Sequence, residues 1–307
     1  MAEAVESVLK QTYANVQIIL IDNGSTDNSR QIISHFIEAN AGIEFLPLPQ
    51  NIGLCAAFNL ALARATGKYI IDLAADDVMP AHKLEIQVAE FEQISEEYAV
   101  VFTNAKYINE AGQPTGFHYA VNSQEKSIRK IPDGWVFDEV LKGYFICTPT
   151  MMMRRSVLTE IGGYDASLAY EDFDFWVRTS RFYKYHYLDQ VLMQKRIVSG
   201  SMGSLFYKID NDLLRSSWVV CVKAKDLANT PRERELLAGR IHAFIKKCVA
   251  VGNRKQAVKF VELLQKVQKP GWKTNFLVWA SGLPLPINKL YHFYAWLRLF
   301  LNPKSNI

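Results

Sequence analysis

The sequence predicts an α/β fold with a mostly parallel sheet, flanking helices and a helical C-terminal region. Two observations predict it. Up to about residue 77, apolar stripes at helical spacing alternate with short β-branched runs in the order β-α-β-α-β, joined by short connections. From residue 206 to about 266 strand patterns give way to continuous helical spacing.

A first helix from about Ala2 to Gln11 presents Val5, Val8 and Leu9 on one face. The run "VQIILID" is a buried strand that ends in the turn "NGSTD". Ser25 or Thr26 is placed to cap the next helix, "DNSRQIISHFIEA", whose stripe is Ile32, Ile33, Phe36 and Ile37. After the strand "IEFLPL", Asn51 and Gly53 turn the chain into "LCAAFNLALARA", which Gly67 closes before "KYIIDLAADD". In such sheets ligands gather at the C-terminal ends of strands, where Asp22 and the Asp76-Asp77 pair lie. A helix around 81–94, the strand "YAVVFTNAKYI", a polar stretch from about 109 to 132 and "MMMRRSVLTEIGGYD" follow.

With 307 residues, 49% of them apolar, the chain buries a full core. Its four cysteines are widely spaced and form no C-x-x-C, so the sequence suggests neither a disulfide framework nor a zinc site and suits a reducing cytoplasm. The N-terminus reads as amphipathic rather than secretory, and no apolar run is long enough to span a bilayer. Charge is unevenly divided. Residues 1–205 hold 17 Lys/Arg against 25 Asp/Glu, and residues 206–307 hold 18 against 6. The acidic part suits a cation site and the basic part an anionic surface. Nucleic-acid binding is not expected, because the basic residues are interleaved with apolar helical faces.

The chemistry gathers at acids. In "IDLAADDVMP" an apolar strand ends in Asp76 and Asp77, and adjacent carboxylates require a cation, a hydroxyl-rich ligand or open water. On those ten residues alone a solvated helix start, where acids meet the positive end of the helix dipole, is the favoured account. A later acid pair, Glu171-Asp172, opens "EDFDFWVR".

Taken in order, "ESVLKQTYANVQIILIDNGSTDNS", "NIGLCAAFN", "ATGKYIIDLAADD", "PTMMMRRSVLTEIGGYD" and "EDFDFWVR" resemble glycosyltransferase family 2, the inverting type with the Rossmann-like GT-A fold. The resemblance covers roughly residues 1–200 and implies an N-terminal catalytic domain, 1–205, followed by a helical, basic, aromatic-rich region, 206–307. It implies transfer of a sugar from a nucleoside-diphosphate donor, a UDP- or dTDP-sugar, to a glycan or lipid-linked acceptor in bacterial surface polysaccharide synthesis, a hexosyltransferase-type activity. Asp77 is then the ligand of Mg2+ or Mn2+, which neutralises the diphosphate as a Lewis acid. Asp76 faces ribose or sugar hydroxyls, and Asp22 accepts from the base N–H or closes an Asx-turn. Asp172 is the general base, paired with Glu171. Gly162 and Gly163 allow close approach of a loop to the donor, and Arg196 with Ser201 completes that end of the site. Arg154 and Arg155 are weaker candidates for the diphosphate.

The chain departs from the family pattern at Ala74, Asn23 and Phe58, and Ile197 and Val198 replace the usual Arg-x-His spacing after Arg196. The resemblance also implies an apolar strand ahead of the first helix, which would leave two strands here with unpaired edges. Alternatives are a degenerate member that binds nucleotide sugar or glycan without turnover, and a nucleotidyltransferase, which would need a Gly-rich phosphate loop. Trp272, Phe276, Trp279, Tyr291, Phe293, Tyr294, Trp296 and Phe300, together with the basic charge, suit either peripheral attachment of a cytoplasmic protein at the inner face of the plasma membrane or packing of these aromatics onto the catalytic domain.

Overall fold

The computed structural model describes residues 1–198 and 211–268, with Gly200, Phe206, Gly271, Trp272, Thr274, Phe276 and Trp279. Ser201 and the aromatic residues from Tyr291 to Phe300 lie outside the described residues. The chain divides into two compact units. One comprises Met1–Val140 and Tyr144–Ser199, and the other the described residues of Gly200–Ile307 with Leu141–Gly143.

The first unit opens with α1 (Ala2–Leu9), then β1 (Ile18–Asn23), α2 (Ser29–Ala39), β2 (Ile43–Leu48), α3 (Leu54–Leu62) and β3 (Tyr69–Ile70). The chain continues through α4 (Lys83–Gln93), β4 (Tyr98–Ile108), β5 (Pro114–Phe117), α5 (Phe137–Lys142, whose last two residues fall in the second unit), β6 (Met152–Arg154), α6 (Arg155–Glu160), α7 (Asp172–Ser180) and β7 (Lys184–Arg196). β1 and β2 form a parallel pair of their own. The other strands form a mixed sheet in the order β3-β6-β4-β5, with β7 parallel to β4 and the remaining pairings antiparallel. Among the described residues β1 pairs only with β2 and β3 only with β6, so each keeps one open edge.

β4 is the centre of this sheet because its residues Ala99, Val100, Val101 and Phe102 are wholly buried. A register shift between Thr103 and Asn104 disrupts the ladder to β7 there. The buried Asn104 side chain satisfies the disturbed backbone, accepting from the N–H groups of Ala105 and Tyr119 and donating to the Tyr119 carbonyl. Such closure matters because a buried amide left unpaired costs about 1–3 kcal/mol.

Two sequence expectations change. α2 begins after Asn28 with no side-chain cap, so neither Ser25 nor Thr26 caps it; the Ser25 N–H instead points to Asp22. Arg154 is buried and far from a phosphate role. Its guanidinium donates to the carbonyls of Tyr98 and Ser95 at 2.7 and 3.2 Å and lies 4.8 Å from the Phe91 ring centroid, holding the end of α4 against the sheet. Arg155 donates to the Gly67 carbonyl at 2.7 Å and ties α6 to the turn before β3.

The second unit holds α8 (Asp212–Leu227), α9 (Pro231–Ala250) and α10 (Arg254–Val267). Asn211 and Asn253 cap α8 and α10, and a Thr230/Glu233 capping box with Pro231 starts α9. Leu214, Cys221, Leu237, Ile241 and the stacked Phe244 and Phe260 fill the core between them. Farther along, Trp272, Thr274, Phe276 and Trp279 are helical. Thr274 Oγ1 meets His242 Nδ1 of α9 at 3.1 Å. Trp272, Phe276 and Trp279 are 73%, 57% and 59% exposed.

Candidate functional site

Asp76 and Asp77 follow β3 and are pinned by the end of β7. Val78 and Gln194 exchange backbone hydrogen bonds at 3.0 and 2.9 Å, and the Arg196 N–H donates to Asp77 Oδ1 at 2.9 Å. The Arg196 guanidinium donates to the Asp76 carbonyl at 3.0 Å and to the carbonyls of Asn109 and Glu110, each at 3.1 Å, and also pairs with Glu3. Arg196 therefore builds the acid loop rather than reaching out of it.

Asp77 is only 3% exposed. Burial pushes its carboxyl up to about 6, the Arg196 N–H and the charges of Lys195 and Arg196 acting against this and Asp76 adding to it. A buried acid beside another acid, with one oxygen still outside the Arg196 bond, fits a divalent cation. Among the described residues no three His, Cys, Asp or Glu groups converge as a complete metal set. The fit is therefore that of a hard cation held by one or two carboxylates and completed by ligand phosphates and water.

Asp172 begins α7, directly after the N-cap residue Glu171. Its carboxylate accepts from Thr148 Oγ1 at 3.2 Å and from the Phe173 N–H. Thr148 belongs to the turn 148–150, beside the buried Cys147. Burial pushes the Cys147 thiol up to about 11, with the charge of Lys195 acting against this and that of Asp77 adding to it. Burial pushes Glu171 well above the carboxylate range, with the charges of Asp172 and Asp72 adding to it.

Asp22 is 2% exposed at the end of β1. Its Oδ1 accepts the Ser25 N–H at 2.9 Å, the expected Asx-turn, and Oδ2 pairs with Arg30 Nε. Burial alone would raise this carboxyl, but the bonds from Ser25 and Arg30 hold it below its ordinary range. Both oxygens are engaged within the protein, so a base N–H would have to share one of them. Gly24 closes the turn at φ +76°, where a Cβ would lie 2.4 Å from the Asn51 nitrogen.

Gly162 and Gly163 both adopt positive φ. The close approach at Gly163 is to α3: a Cβ there would meet Asn59 Oδ1 at 2.4 Å, whereas Gly162 faces open space. Asn59 exchanges hydrogen bonds with the Tyr164 backbone, and Arg178 donates to the carbonyls of Ile161 and Gly163 at 2.7 Å each. Sequence reasoning passed over Lys195, Thr148 and Asp72. Asp72 carried a readable signal, an acid inside an apolar strand run.

Acids gathered at strand ends of an α/β unit are the arrangement of the GT-A glycosyltransferases. The chain belongs to glycosyl transferase family 2, whose model, described as "Glycosyl transferase family 2", matches residues 1–162. EpsE of Bacillus subtilis (strain 168), named for glycosyltransferase activity, is 30% identical over 224 residues, covering 70% of this chain and 75% of that protein. The glycosyltransferase GlyG of Streptococcus pneumoniae is 33% identical over 132 residues, 43% of this chain and 42% of that one. Among solved structures, S. aureus TarS in complex with UDP-GlcNAc superposes with a TM-score of 0.62 at 16% identity, covering 90% of this chain and 79% of TarS. The mannosyltransferase PcManGT of Pyrobaculum calidifontis, in complex with GDP-Man and Mn2+, gives 0.56 at 13% identity over 97% of this chain and 76% of that one. These two likenesses concern the fold.

Proposed function

We propose that this chain is an inverting glycosyltransferase that moves a sugar from a nucleoside diphosphate to a glycan or lipid-linked acceptor in bacterial surface polysaccharide synthesis. The observation that carries this reading is the buried Asp77 carboxylate, oriented after β3 by the Arg196 N–H, in the same compact unit as the Glu171-Asp172 pair that Thr148 holds at the start of α7. Asp77, with Asp76 beside it, would hold Mg2+ or Mn2+, and the cation would neutralise the leaving diphosphate. Asp172 takes the acceptor hydroxyl proton while the nucleotide leaves from the opposite face, with Glu171 beside it. Gly162 and Gly163 shape the loop toward the donor, and Arg196 holds the acid loop in place. A pyrimidine donor, UDP or dTDP, rests on the resemblance and on Asp22, and a relative in fold that carries GDP-Man makes guanine donors a necessary comparison.

Residues 1–205 are the catalytic domain in this reading, and residues 206–307 meet the surface that carries the acceptor. Among the described residues no helix is long and apolar enough to cross a membrane. The exposed Trp272, Phe276 and Trp279, in a region with 18 Lys/Arg against 6 Asp/Glu, suit peripheral attachment to anionic lipid at the cytoplasmic face.

A panel of UDP-, dTDP- and GDP-sugars incubated with the purified chain, with and without Mn2+, tests the reading. Metal-dependent release of one nucleoside diphosphate is expected, and Asp77→Ala should abolish it. Saturable binding of a nucleotide sugar with no turnover in the presence of acceptor extracts would replace it with the non-catalytic alternative.

A further inference from the structure

We propose that Lys83 is a positioning residue for the candidate base: with Gln87 it pins the Thr150 carbonyl of the turn 148–150, and that turn holds the Thr148 hydroxyl on Asp172. The proposal rests on the glycosyltransferase reading and deepens it.

Two buried side chains of α4 end on one oxygen. Lys83 Nζ donates to the Thr150 carbonyl at 3.1 Å, and Gln87 Nε2 donates to the same carbonyl at 3.0 Å and to that of Val101, in β4, at 3.1 Å. Lys83 and Gln87 stand one helical turn apart, on the face of α4 toward the sheet. The turn itself is closed. The Thr150 N–H and hydroxyl both donate to the Cys147 carbonyl, at 2.9 and 2.7 Å, and the Met151 N–H donates to that of Thr148 at 3.1 Å. Pro149 fixes φ between the two threonines. At the other end of the turn Thr148 Oγ1 donates to Asp172 Oδ2 at 3.2 Å. Lys83 also ends the acid loop, its N–H donating to the Pro80 carbonyl at 3.0 Å. One residue therefore joins the loop that carries Asp77 to the turn that holds Asp172.

The cost of this arrangement marks it as more than packing. Lys83, Gln87 and Thr150 are wholly buried, and one carbonyl only partly offsets the withdrawal of an ammonium from water. Gln87 Oε1 has no hydrogen-bond partner among the described residues, so the amide serves two carbonyls while its own oxygen goes unpaired. Apolar side chains of similar length would fill this space at lower cost. They would not fix the direction of a carbonyl. Without the Lys83 nitrogen the Thr150 carbonyl keeps its bond from Gln87, so the fold survives while the turn gains freedom.

Lys83→Met, which keeps an unbranched side chain, separates positioning from stability. Hydrogen exchange of single amides, read by NMR at pH 7, needs no substrate. The Thr150 and Met151 amides should exchange about tenfold faster in the variant, although urea unfolding finds it no less stable overall. Gln87→Met removes the other donor to the carbonyl and gives a second, independent reading of the same amides. Amides that exchange no faster than in the wild type in either variant would overturn the pin. In turnover, kcat of Lys83→Met should fall by about ten- to a hundredfold, the effect of a misplaced reacting group, with the donor KM nearly unchanged. Thr148→Val should also lower kcat, Thr148→Ser should restore most of it, and the Lys83→Met, Thr148→Val double variant should be no slower than the slower single one, because both act through one bond. An unchanged kcat in Lys83→Met, or effects that multiply in the double variant, would overturn the link to Asp172. Failure of the wild type to turn over any nucleotide sugar would sink the glycosyltransferase reading, and the exchange rates would still decide the pin.

Discussion

The backbone N–H of Arg196 donates to the Asp77 carboxylate at 2.9 Å, across 119 residues of chain. The donor is main chain, so the register of β7 orients the acid, and a substitution at position 196 other than proline keeps the donor. The guanidinium of Arg196 acts separately, on the loop carbonyls around Asp76.

These two contributions separate by mutation. Asp77→Ala should abolish metal-dependent donor turnover. Arg196→Ala should keep a measurable response to Mn2+ while losing about 1–3 kcal/mol of stability from carbonyls left unpaired. Metal titrations followed by turnover, with urea unfolding of both variants, check the pair.

Asp172→Asn removes the proton acceptor but keeps the shape and the Thr148 contact. The rate should fall by roughly two to four orders of magnitude, the range of a positioned general base, with donor affinity nearly intact. Loss of nucleotide binding in this variant, measured by calorimetry, would assign Asp172 to the donor instead.

The Asp22 ion pair is asymmetric, because the Asp22 side chain is wholly buried whereas that of Arg30 is 47% exposed. Arg30→Met strands the buried carboxylate and should cost about 1–3 kcal/mol, discounted for the solvent around Arg30. Asp22→Asn should cost less. The folded carboxyl is depressed, so its contribution is present above the unfolded value of 3.8 and is lost as pH falls through the folded value. Denaturant midpoints of Arg30→Met should therefore converge on the wild type in acid.

Lys83 is fully buried, and burial lowers its ammonium to about 7 from 10.5. Its nitrogen donates to the Thr150 carbonyl at 3.1 Å. The unfolded chain binds the extra proton between these values, so stability should rise with pH above about 7 with a slope near 1.4 kcal/mol per unit. Lys83→Met should be the more stable protein at pH 7, and the gap should narrow toward pH 9. Parallel urea curves at pH 7, 8 and 9 test this.

Membrane attachment predicts flotation with anionic vesicles at low salt and release as salt screens the attraction. A variant with Ala at Trp272, Phe276 and Trp279 should float poorly while its helical circular dichroism is kept. Equal flotation of the variant and the wild type would assign the lipid contact to other residues.

The β-α-β-α-β order was legible because apolar period and turn residues agree from α1 through β3. β7 was not. Its sequence "KYHYLDQVLMQKR" mixes polar and apolar residues without clean alternation, since most of its side chains are half-buried. β5, "PTGF", has four residues and no apolar pattern. The acids Asp22, Asp76, Asp77 and Asp172 stood out by their place at strand or helix ends, whereas the use of Arg196 as an internal brace depends on contacts far apart in sequence. Asp72 carried a signal, an acid between the apolar Ile71 and Leu73, but only the fold places it just past the end of β3.

The open edges of β1 and β3 have a kinetic consequence. A strand laddered on one side only leaves alternate amides of Ile18–Asn23 without a partner from the sheet, and the same pair carries the Asp22–Arg30 contact and the Gly24 turn. Local opening starts where the fewest bonds must break. Amide protons of β1 should therefore exchange with deuterium well before those of β4, and a protease should make its first cut around residues 24–28, while the five-stranded sheet with its acid loop stays closed.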